Sequence, residues 1–257
     1  MTLHVVTVVY EDGAQLNETY ESCNLGEPLH LRHWIFVKRY NDGLSAKYPQ
    51  AMVLPSLDSG IYNAMNLAFD HLRAQIDDDD LVVFMNAGDL FVESELLSHL
   101  AEHEAKRPVL SVAGVRLTRE GIIVGLRRAP VPPSTPGAII YRDYPCHQAT
   151  FYSAGFLKRI WARRGFLYRE DLRSCADLEL YLAARKEPLL ITPFTTACYD
   201  VAGFSSKQSL AIAAEKSSLL CEYGGTLRWR LYARAWSVCA RLVEPKRRLL
   251  RAIGGGS

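Results

Sequence analysis

Carboxylates gather at two places in this chain of 257 residues, and each has the make-up of a cation site. Asp77, Asp78, Asp79 and Asp80 form an unbroken run that contains an Asp-x-Asp pattern. Shortly after it, Asn86-Ala87-Gly88-Asp89 sets one carboxylate beside a glycine. A hard divalent cation is held by one or two carboxylates together with the phosphate oxygens of a substrate. One well-placed aspartate is therefore enough if a diphosphate arrives with the ion. An aspartate run is also the pattern of a solvated turn. Asp89 is equally suited to cap the helix that follows it. Residue type alone leaves both readings open.

The surrounding elements decide which carboxylate faces a ligand. Leu3 to Tyr10 is a β-branched run, the pattern of a strand buried on both faces. A helix is predicted around 15–23, then a strand over Trp34–Val37 ended by the turn Asn41-Asp42-Gly43. Over 60–76, Ile61, Met65, Ala68, Leu72 and Ile76 share one helical face, with Asn63, Asn66, Asp70 and Arg73 turned away and Asp58 or Ser59 placed to cap. A strand over Leu81–Met85 and a helix over Glu93–Ala105 follow. Further strands are predicted over Val109–Val115, Ile122–Leu126, Ala138–Tyr141, Leu189–Thr192 and Thr195–Tyr199, and helices over Ser153–Arg164 and Ala176–Lys186. From Lys207 the pattern stays helical, with breaks at Gly224-Gly225 and Pro245. Alternation of strand and helix over the first 115 residues argues for an α/β domain with a parallel sheet. In such sheets ligands bind beyond the carboxyl ends of the strands. That rule puts Glu11, Asp12, Asn41, Asp42, Asn86 and Asp89 at the productive edge. It puts the run Asp77–Asp80 at the opposite edge, where it reads as a solvated turn.

Between these two edges lies a longer pattern. Ser56-Leu57-Asp58-Ser59-Gly60-Ile61-Tyr62-Asn63-Ala64-Met65-Asn66, then Phe84-Met85-Asn86-Ala87-Gly88-Asp89, resembles the family 2 glycosyltransferases of bacterial surface-polysaccharide synthesis. That family reads Ser-x-x-Asp-x-Gly-Ile-Tyr-Asp-Ala-Met-Asn and then a strand ending Leu-Asn-x-Gly-Asp. The likeness continues through His147-Gln148-Ala149-Thr150-Phe151, Ala176-Asp177-Leu178-Glu179-Leu180 and Gly203-Phe204-Ser205, and so covers residues 3–206. It implies the GT-A fold, a single α/β domain over 1–206 with a mostly parallel central sheet and a nucleoside-diphosphate sugar at the strand ends. It also implies inverting transfer to a hydroxyl of a glycan and a divalent metal, Mn2+ or Mg2+.

Such transfer needs a stabilised leaving diphosphate, a positioned donor and a base for the acceptor hydroxyl. On the resemblance, Asp89 holds the metal and Asn86 begins the same motif. Asp58 is the donor-site carboxylate, and Gly60 leaves room for a phosphate or sugar oxygen at a helix N-terminus. Asp177 is the base, with Glu170, Asp171 and Glu179 as rivals. His147 and Gln148 contact the diphosphate or the metal. Asn63, Asn66 and Tyr62 suit local structure equally well, and Met65 suits the core. One stretch departs from the family, which follows its second strand with Asp-Gly-x-Ser-x-Asp-Gly-Thr. Here Val37-Lys38-Arg39-Tyr40-Asn41-Asp42-Gly43-Leu44-Ser45 keeps only Asp42-Gly43. Asp42 stays a donor-site candidate, but Val37 or Lys38 replaces the aspartate that recognises the nucleobase. A catalytically degenerate nucleotide-binding or scaffolding subunit is therefore the rival reading.

The formal charge is +2, from 30 basic and 28 acidic residues, which excludes a uniformly basic nucleic-acid binder. The charge is split. From Arg228 onward eight basic residues face one acid, a net of +7, and the first 227 residues carry −5. Over 226–243, Arg230, Arg234, Ser237 and Arg241 form a narrow polar stripe among Leu227, Leu231, Tyr232, Trp236, Val238, Cys239, Leu242 and Val243. This predicts amphipathic helices over 207–253 that lie on an anionic membrane surface, with a polyprenyl-diphosphate-linked glycan as acceptor. The alternative is a helix packed on the domain or on a second subunit. Residues 254–257 read as a linker. No basic leader and no run of 18 apolar residues is present, so a cytoplasmic protein, peripheral on the inner face of the plasma membrane, is expected. The six cysteines form no CxxC pair and read as scattered buried thiols.

Overall fold

The computed structural model describes residues 1–25, 30–119, 121–130, 135–142, 144–201 and 209–254. In chain order the elements are β1 Leu3–Val9, α1 Ala14–Cys23, β2 Leu31–Val37, α2 Gly43–Lys47, β3 Ala51–Pro55, α3 Ile61–Leu72, β4 Leu81–Asn86, β5 Leu90–Phe91 and α4 Glu93–Lys106. They continue as β6 Leu110–Arg119, β7 Ile122–Arg127, α5 Pro136–Tyr141, a 3₁₀ turn His147–Ala149, β8 Thr150–Ser153, α6 Ala154–Arg164, α7 Ala176–Ala184, β9 Leu189–Asp200, α8 Ser209–Glu222 and α9 Leu227–Gly254. The strands form one sheet in the order β3-β2-β1-β4-β8-β6-β9-β5, with β7 alongside β6. β1, β2, β3 and β4 run parallel, β6 pairs with β9 in parallel, and the short β8 lies antiparallel between β4 and β6. The sheet is therefore mixed but mostly parallel, as an α/β domain requires.

Apolar runs with no polar alternation place β1 and β4 at the centre, where both faces are covered. Strand order reverses at β1, which opens a crevice beyond the carboxyl ends of β1 and β4. Asn86 sits there, level with Val8. One side of the sheet packs on α3, α6 and α7 through Phe69, Leu72, Tyr152, Leu157, Leu180 and their neighbours. The other packs on α4 through Leu96 and Leu100. Leu219, Leu220 and Ala233 join the first of these cores, so α8 and α9 are packed on the domain.

Several expectations from the sequence are corrected. Residues 138–141 are not a strand but part of α5. Thr135 Oγ1 accepts from the Ala138 N–H at 3.3 Å and Pro136 pre-sets the first turn, so a local cap outweighs the β-branched pattern. The two extended pieces at 189–192 and 195–199 are one strand, β9. It carries Pro193 through an irregularity in register opposite Gly114, where an added Cβ would lie 2.9 Å from the Arg127 carbonyl. β3 and β8 form without a recognised signal. α9 runs through Pro245 without the expected break, forgoing the one hydrogen bond a proline cannot make. Neither Asp58 nor Ser59 caps α3. Gly60 is the N-cap, and the Asn63 side chain instead accepts from the Ser59 N–H at 2.9 Å. Asn66 does not point away from the core but is buried in it. Of the cysteines, Cys23, Cys146 and Cys175 are buried thiols, and Cys221 and Cys239 are exposed.

The aspartate run divides. Asp77 to Asp79 are a solvated turn, as expected, but Asp80 is buried. It accepts from the N–H groups of Thr2 (2.7 Å) and Asp77 (3.0 Å) and meets His4 Nε2 at 3.2 Å. Burial pushes its carboxyl up, but these donors outweigh it and hold the group below the usual carboxylate range. Asp80 thus pins the start of β1 to the start of β4. Asp80→Ala is expected to cost about 2–3 kcal/mol of stability in urea unfolding at pH 7. Because the folded-state value is depressed, this contribution is present above the ordinary carboxylate range and is lost as pH falls through the folded value. The wild type and the variant should therefore converge in acid.

Candidate active site

The motif Asn86-Ala87-Gly88-Asp89 turns sharply out of β4 at the crevice. Gly88 takes φ +97, which favours glycine, and its N–H donates to Thr19 Oγ1 at 2.8 Å and to the Gln15 carbonyl at 3.1 Å. This turn drives Asp89 inward, to 5% exposure. Asp89 is not the cap of α4, whose N-cap is Val92. Burial pushes its carboxyl up to about 7, against the opposing donors Gln148, the Asp200 N–H and Asn86. Gln148 Nε2 donates to Asp89 Oδ2 at 2.7 Å, and the Cys146 thiol donates to Gln148 Oε1 at 2.9 Å. The His-Gln motif and the Asn-x-Gly-Asp motif thus meet in one buried bond.

Two polar atoms beside this bond lack a protein partner among the described residues, Asn86 Oδ1 and His147 Nε2. His147 stacks on Phe84 (5.9 Å) and meets Tyr168 edge-on (6.1 Å). Burial holds its imidazole below the ordinary value while Asp177 pulls it up. A hard cation fits here in one way. Asp89 supplies a carboxylate and Asn86 Oδ1 an unused acceptor. No group of three or more His, Cys, Asp or Glu side chains able to hold a metal occurs among the described residues. Among the described residues, an ion here would have to be held jointly with a ligand's phosphates.

Asp177 sits in the first turn of α7, not at its cap, which is Cys175. Tyr144 Oη donates to Asp177 Oδ2, and Asp177 Oδ1 accepts from the Leu178 N–H at 2.9 Å. The rival carboxylates are engaged elsewhere. Glu179 is buried, paired with Arg164 at 3.1 Å and bonded by Tyr223 Oη. Asp171 is paired with Arg169 at 2.7 Å, and Glu170 accepts from Asn63 and Asn66, both at 3.0 Å. Asn66 is fully used in holding the 167–170 loop. Its Oδ1 accepts from the N–H groups of Leu167 and Tyr168, and its Nδ2 donates to the Tyr168 carbonyl at 2.8 Å. Tyr62 stacks on Tyr168 at 5.7 Å, so α3 lends an aromatic wall, and Met65 is core.

Asp58 follows β3. It accepts from Ser56 Oγ at 2.7 Å and pairs with Lys38 Nζ at 3.6 Å. Val37 is buried in the core, so of Val37 and Lys38 only Lys38 reaches the surface beside Asp58. Gly60 has extended backbone and open space where a Cβ would stand, so its N–H is approachable but glycine is not demanded there. Asp42 is exposed at the N-cap of α2, with no side-chain cap bond and no described bond to the other candidates. Gly203-Phe204-Ser205 lies outside the described residues. Tyr144, Tyr168 and Lys216 had no sequence signal. Lys216, on α8, lies over the Trp236 ring at 4.9 Å, and burial, helped by Arg127, holds its ammonium below the ordinary value against the opposing pull of Cys175 and Asp177.

No protein-family model matches the chain, and no curated protein matches it. Solved structures do. S. aureus TarS 1–349 superposes with TM-score 0.63 at 14% identity, over 95% of this chain and 72% of that one. The same TarS fragment with UDP-GlcNAc gives 0.61 at 14% identity over 92% and 70%, and with UDP 0.59 at 16% over 97% and 92%. Against the longer TarS chain the match covers 87% of this chain but only 43% of that one. At these identities the likeness shows the fold. The chain has the GT-A fold of nucleotide-sugar transferases, in a single mixed α/β domain.

Proposed function

We propose that the chain is a family 2 glycosyltransferase of polysaccharide biosynthesis. It moves a sugar from a nucleoside-diphosphate donor to a hydroxyl of a lipid-linked glycan, with inversion. The observation that carries this reading is the pairing of two distinct carboxylate environments on one rim. Asp89 is buried against Gln148 beside unused acceptors, and Asp177 is half-buried and held by Tyr144. UDP-GlcNAc and UDP in the TarS structures support a nucleotide sugar as donor.

Asp89, with Asn86 Oδ1, would hold Mn2+ or Mg2+, which when bound neutralises the leaving diphosphate. His147 Nε2, without a partner among the described residues, would meet a phosphate oxygen. Asp58 and Gly60 orient the donor at the start of α3. Asp177 Oδ accepts the proton of the attacking hydroxyl, and Tyr144 Oη keeps that carboxylate aimed. One carboxylate base and direct displacement suffice for inversion. The rival reading, a degenerate nucleotide-binding subunit, is favoured by Lys38, whose ammonium occupies Asp58.

The tail fits a surface anchor. Trp229, Ala233 and Trp236 face the domain, with Tyr141 stacked on Trp229. Ser237, expected in the polar stripe, is half-buried on that same face. Opposite it, Leu227, Leu231 and Val238 form an exposed apolar line beside the exposed Arg230, Arg234 and Arg241. No helix among the described residues is long and apolar enough to cross a membrane. The reading is of an enzyme lying on an anionic inner membrane face, with no nucleic-acid partner.

Calorimetry with UDP, GDP and their sugars, with and without Mn2+, tests the core of the proposal. Metal-enhanced binding of one nucleotide sugar, followed by release of its nucleotide when acceptor is added, is expected. Binding without turnover would establish the degenerate subunit, and no binding to any of them would end both readings.

A further inference from the structure

β7 is an apolar strand left in the open. Ile122, Ile123, Val124 and Leu126 are 69, 58, 55 and 55% exposed. The strand pairs only with β6 among the described strands, so its outer edge carries no partner there. Soluble domains blunt such edges with charge, proline or cover. Here a bulge between Leu117 and Thr118 twists the hairpin, and Gly121, at φ +77, closes it, but nothing described covers it.

The hairpin stands on the rim of the site. Thr118 lies beside Asp200, whose N–H supports Asp89. At its other end Arg127 donates to the carbonyl of Tyr144, the residue that holds Asp177. Between these two anchors the turn projects beyond the level of the catalytic edge.

What covers it is indicated by two features. First, successive strand residues point to opposite faces. The bulge interrupts that alternation: Ile122, opposite Arg119, is on one face, while Ile123 and Leu126, opposite Thr118 and Arg116, are on the other, yet all three are exposed, as is Val124 at the bulge. A docked protein would cover one face or the open edge, whereas immersion in a lipid layer covers both. Second, the stretch 115–130 carries Arg116, Arg119, Arg127 and Arg128 against the single acid Glu120, a net of +3. Arginines around an apolar tip match anionic headgroups, and the same set would repel a second copy of itself.

We propose that the β6–β7 hairpin is a lipid-contacting element. It dips into an anionic bilayer and holds the rim carrying Asp177 against the surface from which a lipid-linked acceptor is presented. This rests on the membrane-surface part of the function proposed above, and supplies a second contact besides α9.

The test uses the full chain with phosphatidylcholine vesicles, with and without phosphatidylglycerol. The triple variant Ile122→Ser/Ile123→Ser/Val124→Ser is compared with Leu231→Ser/Val238→Ser on α9. All five side chains are exposed, and an unchanged melting temperature together with the single variant Ile123→Asp guards against misfolding. The triple variant is expected to bind anionic vesicles about tenfold or more weakly. Its nucleotide-sugar binding in solution should be unchanged. In hydrogen exchange, the amides of 122–127 in the wild type should slow when anionic vesicles are added. Wild-type vesicle affinity in the triple variant, with no slowing at 122–127, would overturn the proposal and leave α9 as the contact. Self-association of the wild type that the triple variant abolishes would overturn it in favour of a second copy. Failure of the wild type to bind anionic vesicles would overturn it too. Failure of the enzyme reading is distinguishable, because it appears as lost nucleotide binding without any lipid.

Discussion

Asp177→Asn is expected to lower the transfer rate about a thousandfold while leaving donor affinity within about twofold. The replacement is nearly isosteric. Its single amide oxygen can keep the Leu178 N–H, and its NH2 then donates to Tyr144 Oη, which turns from donor to acceptor, so the side chain stays held at both ends. What disappears is the lone pair able to accept the acceptor's proton. The loss should therefore fall on kcat and spare the binding of nucleotide sugar measured by calorimetry. Tyr144→Phe separates aiming from basicity. It keeps the carboxylate but removes the donor that orients it, and a smaller loss of about tenfold is expected. If Asp177→Asn turned over within threefold of wild type, the base would have to be sought elsewhere. Glu170 would be the next candidate, because its partners are neutral amides, unlike those of Glu179 and Asp171.

How far this site could be read from the chain depends on where its information lies. The crevice was legible because β1 and β4 are mostly apolar runs without alternating polar positions, and Asn86-Ala87-Gly88-Asp89 ends one of them. Asp89, Gln148 and Asp177 were legible only as members of extended motifs. No spacing in the chain joins residue 89 to 148, and only the fold brings Gln148 Nε2 to Asp89. Tyr144 and Lys216 were not legible at all, since Tyr144 reaches the site from the loop between α5 and the 3₁₀ turn and Lys216 from α8, whose own pattern concerns packing. Asn66 shows the opposite failure. It sits on the nominally polar side of α3, yet its amide satisfies four backbone and side-chain groups of the 167–170 loop, a long-range need that helical periodicity does not encode. The misread segment 138–141 follows the same logic at short range. Its β-branched pair favours a strand, but the Thr135-Pro136 start imposes a helix, and α5 is what carries Tyr141 to Trp229 and so seats α9.

Asp89→Asn is expected to pull stability and activity in opposite directions, which a merely structural aspartate would not do. Burial raises the Asp89 carboxyl to about 7, so without metal the folded state binds its proton more tightly than the unfolded chain does. For a raised carboxyl, the stabilisation from that proton is fully present below the ordinary carboxylate value near 4. It is lost as pH rises to about 7. Ionising the group in the folded protein therefore costs up to roughly 4 kcal/mol by neutral pH. Asparagine carries no such cost, and its amide oxygen can still accept from Gln148 Nε2. In urea unfolding without metal, the variant should match the wild type near pH 4 and exceed it by about 1–3 kcal/mol at pH 8, once solvent relaxation is allowed for. Transfer should meanwhile fall by at least about 100-fold, and Mn2+ should no longer strengthen nucleotide-sugar binding, because the anionic ligand is gone. Adding Mn2+ with nucleotide diphosphate should restore the wild type's stability at pH 8 and do nothing for the variant. A variant less stable than wild type at every pH would assign Asp89 to the structure alone. A variant that is stabilised but fully active would show that the buried carboxylate is a cost the fold bears for some purpose other than holding the ion.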